Sequence, residues 1–321
     1  MRALAQLRYG SPDDVLRIDD VATPIPGPGQ ALIAVHASSI NAGDWRRVRA
    51  RPALIRVSEG LRRPRSPLLG GDAAGVVESV GPDMTDLAAG DEVYGIRSGA
   101  LAEYVAGRNF VRKPRNLSLE EAAAVPIAGV TALQAVREHG ELSAGQRVLV
   151  NGAGGGVGSF VTQIAAADGA EVTAVTSGDK VGMVRSLGAT HVIDYAREDF
   201  TRSPARYDVI IDPGGNRSVR RLGRVLAPGG RMVLVGAGHG PGGAMGRLIG
   251  GTVRRRLLRQ PIRMFMAAVR TDDLRALTEL IESGSVRPVI DRTYPFEQAA
   301  EALRYVETGK AAGKVVIRIR S

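Results

Sequence analysis

An apolar strand that runs straight into a glycine-rich loop and then a helix leaves a chain few alternatives. Here Arg147 to Val150 is followed by Asn151-Gly152-Ala153-Gly154-Gly155-Gly156-Val157-Gly158 and a helical stretch. In the G-x-G-x-x-G register the loop reads Ala153-x-Gly155-x-x-Gly158, with alanine in place of the first glycine. Gly155 permits backbone N–H groups to approach a pyrophosphate at the positive helix end, and Gly158 permits close packing of helix on strand. Alone, such a motif also describes a glycine-rich turn without a ligand; its surroundings give it meaning. RVLV is followed by VTQIAAADG, EVTAVT by KVGMVRSLG, then come HVIDY, YDVIID with RSVRRLGRVLA, and RMVLVG. Apolar strands alternating with helices predict a parallel sheet covered on both faces.

The flanks differ. ALIAVHASSI alternates, GVVESV is short and β-branched, and Pro26-Gly27-Pro28-Gly29 punctuates them, so the first segment reads as strand-rich. The tail returns to short strands, PVIDRTY and KVVIRI, around the helix EQAAEALRYVE. The expected organisation is an α/β chain in which residues 1–120 and 288–321 form a β-rich domain and 121–287 an inserted dinucleotide-type domain. A length of 321 residues suits two domains.

Composition excludes several chemistries. There is no cysteine, which removes disulfides, thiolate nucleophiles, iron–sulfur clusters and cysteine-ligated zinc. His36, His139, His191 and His239 form no H-E-x-x-H or comparable pair, so no metal site is expected. No apolar run reaches the length of a membrane span, and MRALAQLRYG lacks a secretory apolar region, so a cytoplasmic address is expected. The net charge of +10 fits nucleic acid, an anionic cofactor or an anionic substrate. Aromatics make up only 4% of the chain and do not interleave with the arginines, which argues against nucleic acid.

The strand after the glycine loop ends Thr176-Ser177-Gly178-Asp179-Lys180. An NAD site would place a carboxylate at that strand end for the ribose 2′-hydroxyl. The neutral end and Lys180 favour a 2′-phosphate and hence NADP(H). Asp179 is either the ribose acid or the N-cap of the next helix.

Gly71-Asp72-Ala73-Ala74-Gly75-Val76-Val77-Glu78-Ser79-Val80-Gly81, followed by Gly90-Asp91-Glu92-Val93-Tyr94-Gly95, resembles the signature of medium-chain dehydrogenases/reductases. AGGGVG and Leu187 to Tyr195 (LGATHVIDY) are similar to the zinc-free NADPH:quinone oxidoreductase branch that includes ζ-crystallin. The resemblance spans essentially the whole chain and implies a GroES-like β-rich catalytic domain plus a Rossmann doubly wound domain. Zinc-dependent members place a cysteine where this chain has Ala42 to Asp44 and a His-Glu pair where it has Gly71-Asp72, and they insert a four-cysteine loop; all of those ligands are missing.

Carried over by position, the resemblance implies that Asn41 and Thr131 face the nicotinamide and its ribose. Ala153, Gly154, Gly155, Gly156 and Val157 would take the pyrophosphate. Ser177, Lys180 and Tyr195 would surround the 2′-phosphate, and Lys314 would reach a cofactor phosphate. The bland alternatives are a turn residue at Asn41, a helix-surface residue at Thr131 and a half-buried strand end at Tyr195. The implied reaction is metal-free hydride transfer from NADPH to a quinone or the β-carbon of an α,β-unsaturated carbonyl, with position, oxyanion donors and exclusion of water as the protein's part. Alternatives are an alcohol/ketone oxidoreductase of the same superfamily and a non-catalytic NADPH-binding protein.

Asn41, Trp45 and Arg46 are the candidate substrate-pocket residues. Trp45 is expected as a flat wall for a planar acceptor, or else as a core residue. Arg46 suits an enolate or an anionic substrate but stays charged and is a poor proton donor. Asp44 reads as an ion-pair partner rather than a general acid. Arginine-rich stretches at Arg46 to Arg65 and Arg247 to Arg270 either border the cleft in the family's layout and meet an anionic or carrier-bound substrate, or are solvated faces. The expected partners are the small-molecule acceptor and a second copy of the chain, with neither nucleic acid nor membrane.

Overall fold

The strands come in three groups along the chain. The first is β1 (Arg2–Gln6), β2 (Leu16–Asp20), β3 (Ala31–Ile40), β4 (Asp72–Val80), β5 (Glu92–Ile96), β6 (Tyr104–Gly107) and β7 (Phe110–Arg112). The second is β8 (Arg147–Asn151), β9 (Glu171–Thr176), β10 (His191–Asp194), β11 (Tyr207–Asp212), β12 (Leu226–Val235) and β13 (Ile262–Phe265). The last is β14 (Ile290–Pro295) and β15 (Lys314–Arg318). The computed structural model describes residues 1–53, 55–236 and 261–320. It divides into one unit of Met1–Ala128, Val269–Ser283 and Pro288–Ser321, and another of Gly129–Ala268 and Gly284–Arg287.

In the first unit the larger sheet runs β14-β15-β3-β4-β5-β7, with β6 also paired to β3. β3 is buried along almost its whole length: β4, β6 and β15 pair along its edges and the helices Leu119–Ala123 and Ala299–Glu307 pack against it, so its apolar positions do not strictly alternate with polar ones. A helix, Ala42–Arg49, follows β3 directly and buries Trp45 and Val48, three positions apart on one face. It packs against the C-terminal helix Ala299–Glu307, and Arg49 pairs with Glu307 there at 2.8 Å.

The helix Thr271–Glu282 lies within the expected dinucleotide segment, yet it groups with the first unit. Its backbone carbonyls explain this: the Tyr94 hydroxyl donates to Leu274 O at 2.7 Å and Asn116 Nδ2 to Ile281 O at 2.8 Å.

The second unit is a parallel sheet in the order β10-β9-β8-β11-β12-β13. That is the doubly wound arrangement, which starts at the centre and reverses direction beside β8. Val148, Leu149 and Val150 are fully buried, as a central strand covered on both faces requires. The helix Gly156–Ala167 starts within a few residues of the end of β8, so its first turn lies at the carboxyl edge of the sheet.

Candidate functional site

The glycine loop is shaped by close backbone approach. Gly152 has φ +93° and lies so near the turn after β11 that a Cβ would meet Gly214 Cα at 2.7 Å. At Gly158 a Cβ would collide with the carbonyl of Gly152, so any side chain would push the helix off the strand. At Gly155 the nearest atom to an added Cβ is Gly152 O at 3.6 Å, an ordinary contact, and the Gly155 N–H itself donates to that oxygen at 3.2 Å. Gly155 is the N-cap of Gly156–Ala167, no side chain caps this end, and the first turn holds no acid. Uncapped N–H groups with a favourable dipole and no resident carboxylate suit an anion. Ala153 is buried, and its N–H is spent on Val175 O at 3.0 Å.

A second loop supports the first, and the sequence reading missed it. Asn151 and Asp212 end the adjacent strands β8 and β11 and are both buried. Asn151 Nδ2 donates to Asp212 Oδ1 at 2.7 Å and to Asn216 Oδ1 at 2.9 Å, and Gly214 N donates to Asn151 O at 2.8 Å. The available signal was Asp212-Pro213-Gly214-Gly215-Asn216 directly after an apolar strand, a turn sequence at a sheet edge.

At the end of β9, Lys180 is only 8% exposed, and its stem lies over the loop: a Cβ on Gly154 would meet Lys180 Cδ at 2.7 Å. Asp179 is not the N-cap of the helix Val181–Ser186; Lys180 occupies that position, because a short turn over Gly178–Lys180 intervenes with Ser177 as its cap. The Ser177 hydroxyl instead holds the Asp179 carboxyl below the usual carboxylate range. The acid facing this corner comes from the neighbouring strand: a Cβ on Gly178 would meet Asp194 Oδ2 at 2.7 Å. Tyr195, next in sequence, is 43% exposed.

In the first unit the ends of β3, β4 and β15 bring together Asn41, Asp72 and Lys314. Asp72 is fully buried; its Oδ2 accepts from Ser39 Oγ at 2.6 Å and Asn41 Nδ2 at 2.7 Å, and its Oδ1 from Ile127 N at 2.8 Å. Lys314 is 3% exposed, and its ammonium donates to Asn41 Oδ1 at 2.6 Å and lies 3.3 Å from both Ile40 O and Asp72 Oδ2. Lys314 is the residue expected to reach a cofactor phosphate; here its ammonium is directed to Asn41, Ile40 and Asp72. A buried carboxylate must be balanced, and this ammonium is committed to doing so.

Beside this cluster, Asp44 Oδ2 accepts from Asn41 N at 2.7 Å. Withdrawal from water, and next in the same direction the Asp72 charge, push the Asp44 carboxyl up to about 6, against the pull of Asn41 N–H, Lys314 and Arg47. A folded value above the ordinary 3.8 means that the folded chain holds this proton more tightly than the unfolded one. Its contribution to stability is therefore full below about pH 4 and lost as pH rises through about 6. Asp44→Asn should flatten the fall in stability between those limits, measured as urea midpoints across the window. An unchanged slope would remove Asp44 as its cause.

Trp45 has two expected places, a substrate wall or the core. Its ring sits in the hydrophobic core of the first unit at 9% exposure, with the Arg46 guanidinium 4.9 Å from its centroid. At that burial the ring is largely covered by protein, with the Arg46 guanidinium over it. Thr131 lies buried on the helix Pro126–Leu133, in the part assigned to the second unit, not on an exposed helix surface. Much of the first arginine stretch is structural: Arg47 pairs with Glu59 at 3.0 Å and donates to Leu68 O at 3.0 Å, and Arg56 lies 5.1 Å over Tyr9. Arg51, Arg62, Arg63 and Arg65 are exposed. In the second stretch Arg263 pairs with Glu141 at 2.8 Å, while Arg247, Arg254, Arg255, Arg256 and Arg259 lie outside the described residues. Among the described residues no group of three or more His, Asp or Glu converges as a metal site would require, and no helix is long and apolar enough to cross a membrane.

The chain matches two family models, an alcohol dehydrogenase GroES-like domain over residues 27–115 and a zinc-binding dehydrogenase over residues 187–317. It is 34% identical to 2-methylene-furan-3-one reductase of Solanum lycopersicum, across 99% of this chain and 79% of that protein. It is equally 34% identical, with the same coverage, to the chloroplastic NADPH-dependent alkenal/one oxidoreductase of Arabidopsis thaliana. Among solved structures, the quinone oxidoreductase from Coxiella burnetii superposes with a TM-score of 0.86 at 29% identity, covering 100% of this chain and 99% of that one.

Proposed function

This chain belongs to the medium-chain dehydrogenase/reductase superfamily, and from that premise we propose that it moves hydride from NADPH to a quinone or to the β-carbon of an α,β-unsaturated carbonyl. The observation that carries the reading is the bare helix N-terminus at Gly155, with Lys180 laid across the same loop. The cradle fits a dinucleotide: a helix N-terminus with no side-chain cap, no resident acid, and the close helix–strand contact that only glycine at position 158 permits.

When bound, the nicotinamide supplies the hydride and the protein supplies position. The loop from Gly154 to Val157 holds the pyrophosphate, with the N–H groups of Gly154, Gly156 and Val157 as donors, since Gly155 N–H already donates to Gly152 O at 3.2 Å. Ser177, Lys180 and Tyr195 take the 2′-phosphate, Thr131 the nicotinamide ribose and Asn41 the nicotinamide. Arg46 steadies the developing enolate oxygen but stays charged, so solvent supplies the proton. NADP(H) is supported by the neutral end of β9 and by the names of the alkenal/one relative and of the mammalian NAD(P)H oxidoreductases.

Lys180→Ala removes one charge-assisted hydrogen bond, about 1.5–3 kcal/mol, and should weaken NADPH roughly 10- to 150-fold while leaving NADH nearly unchanged. Equal losses for both cofactors overturn the assignment. Binding of NADPH with no consumption by any quinone or enone would favour a non-catalytic role.

The reaction is read as metal-independent. Asp72, at the place of the acidic ligand in zinc-dependent relatives, faces three hydrogen-bond donors and an ammonium, a setting that repels a divalent cation. Dialysis against a strong chelator should leave activity intact; loss restored by zinc would refute this. Cytoplasmic residence and a homodimer complete the proposal and are checked by fractionation and light scattering.

A further inference from the structure

An asparagine carboxamide presents a donor on one side and an acceptor on the other, and the two are nearly equal in size. Left alone it turns over freely; at Asn41 it cannot. Its Oδ1 lies 2.6 Å from the Lys314 ammonium and its Nδ2 2.7 Å from the Asp72 carboxylate. A half-turn would set N–H against ammonium and C=O against carboxylate, replacing two charge-assisted bonds by two repulsions.

The partners are themselves held. Asp72 is fixed by Ser39 Oγ and Ile127 N, and its own carbonyl accepts from Ser38 Oγ at 2.7 Å. Lys314 is fixed by Ile40 O at 3.3 Å and by its place at the start of β15. Asn41 N is held at the same time by Asp44.

We propose that the Lys314–Asp72 pair is a positioning device that locks the Asn41 carboxamide in one orientation, and so decides that an N–H of fixed direction is offered to the nicotinamide. The pair touches neither cofactor nor acceptor; it acts through Asn41. This rests on the reading of Asn41 as the nicotinamide residue. It extends that reading by explaining why a buried ion pair is kept at this place: an apolar pair of the same size would pack as well but would leave the amide free to turn.

The lock is tested first without cofactor. In the apo-protein, the side-chain amide protons of Asn41, assigned by their disappearance in Asn41→Asp, should exchange with solvent much more slowly than those of exposed asparagines. In the neutral double variant Lys314→Met/Asp72→Asn that protection should fall at least tenfold. Exchange at the exposed rate in the wild type overturns the lock, and this measurement needs no variant of the pair to fold.

Its consequence is read kinetically. The double variant should bind NADPH with unchanged affinity, by dihydronicotinamide fluorescence, yet transfer hydride roughly 10- to 100-fold more slowly in a single turnover. Asn41→Ala should cost about as much, and adding it to the double variant should cost nothing more. Losses that multiply, or a double variant with the wild-type rate, overturn the positioning role. A wild type that transfers hydride to no acceptor defeats the proposed function instead, and the exchange measurement then decides the lock on its own.

Discussion

Lys314→Ala lowers the stability of the protein by about 3–5 kcal/mol, read as a fall in the denaturant midpoint at unchanged m-value. The size follows from what remains: Asp72 is fully buried, and truncating the lysine leaves its carboxylate with Ser39, Asn41 and Ile127 N–H as partners but no opposite charge. Breaking one side of a buried pair is costly because the other side cannot regain its water. Adding Asp72→Asn should restore most of the loss by removing the orphaned charge. A single-variant loss below about 1 kcal/mol, the range of exposed pairs, would show that water reaches this carboxylate.

Trp45→Ala has an effect of similar size, about 3–5 kcal/mol, because it removes both the buried surface of a large aromatic and the contacts around it. The ring packs in the cluster that includes Val48, Leu69 and Leu303, so the loss falls on the core of the first unit. At roughly 2–4 °C per kcal/mol, the melting temperature should drop about 6–20 °C. KM for the acceptor should stay near the wild-type value in the folded fraction. A nearly unchanged melting temperature with a raised KM would return Trp45 to the substrate wall. Since it is the only tryptophan, its emission reports this one site and should be that of a buried indole.

The second unit was the more legible part of this chain. RVLV, EVTAVT and YDVIID appear as β8, β9 and β11 because strands buried on both faces are written as largely apolar runs, whose pattern needs no knowledge of their neighbours, while HVIDY forms the less buried edge strand β10. The glycine loop was legible for the same reason: the positive φ at Gly152 and the close approach of Gly158 to the Gly152 carbonyl are local requirements that leave glycine in the sequence.

Long-range pairings were decided otherwise. Nothing in the spacing of Asn41, Asp72 and Lys314 says that they meet; β3, β4 and β15 bring them together across 273 positions for the most distant pair. The helix Thr271–Glu282 groups with the first unit because Tyr94 and Asn116 bond its carbonyls, a preference absent from its own amphipathic pattern. Trp45 likewise carries no label in the sequence, for an indole suits a substrate wall and a core equally well; the burial of its helix face against the C-terminal helix made it core. Local backbone geometry and strand burial are thus set by residue type along the chain. The destination of a charged or aromatic side chain depends on desolvation and partners, which only tertiary contacts supply.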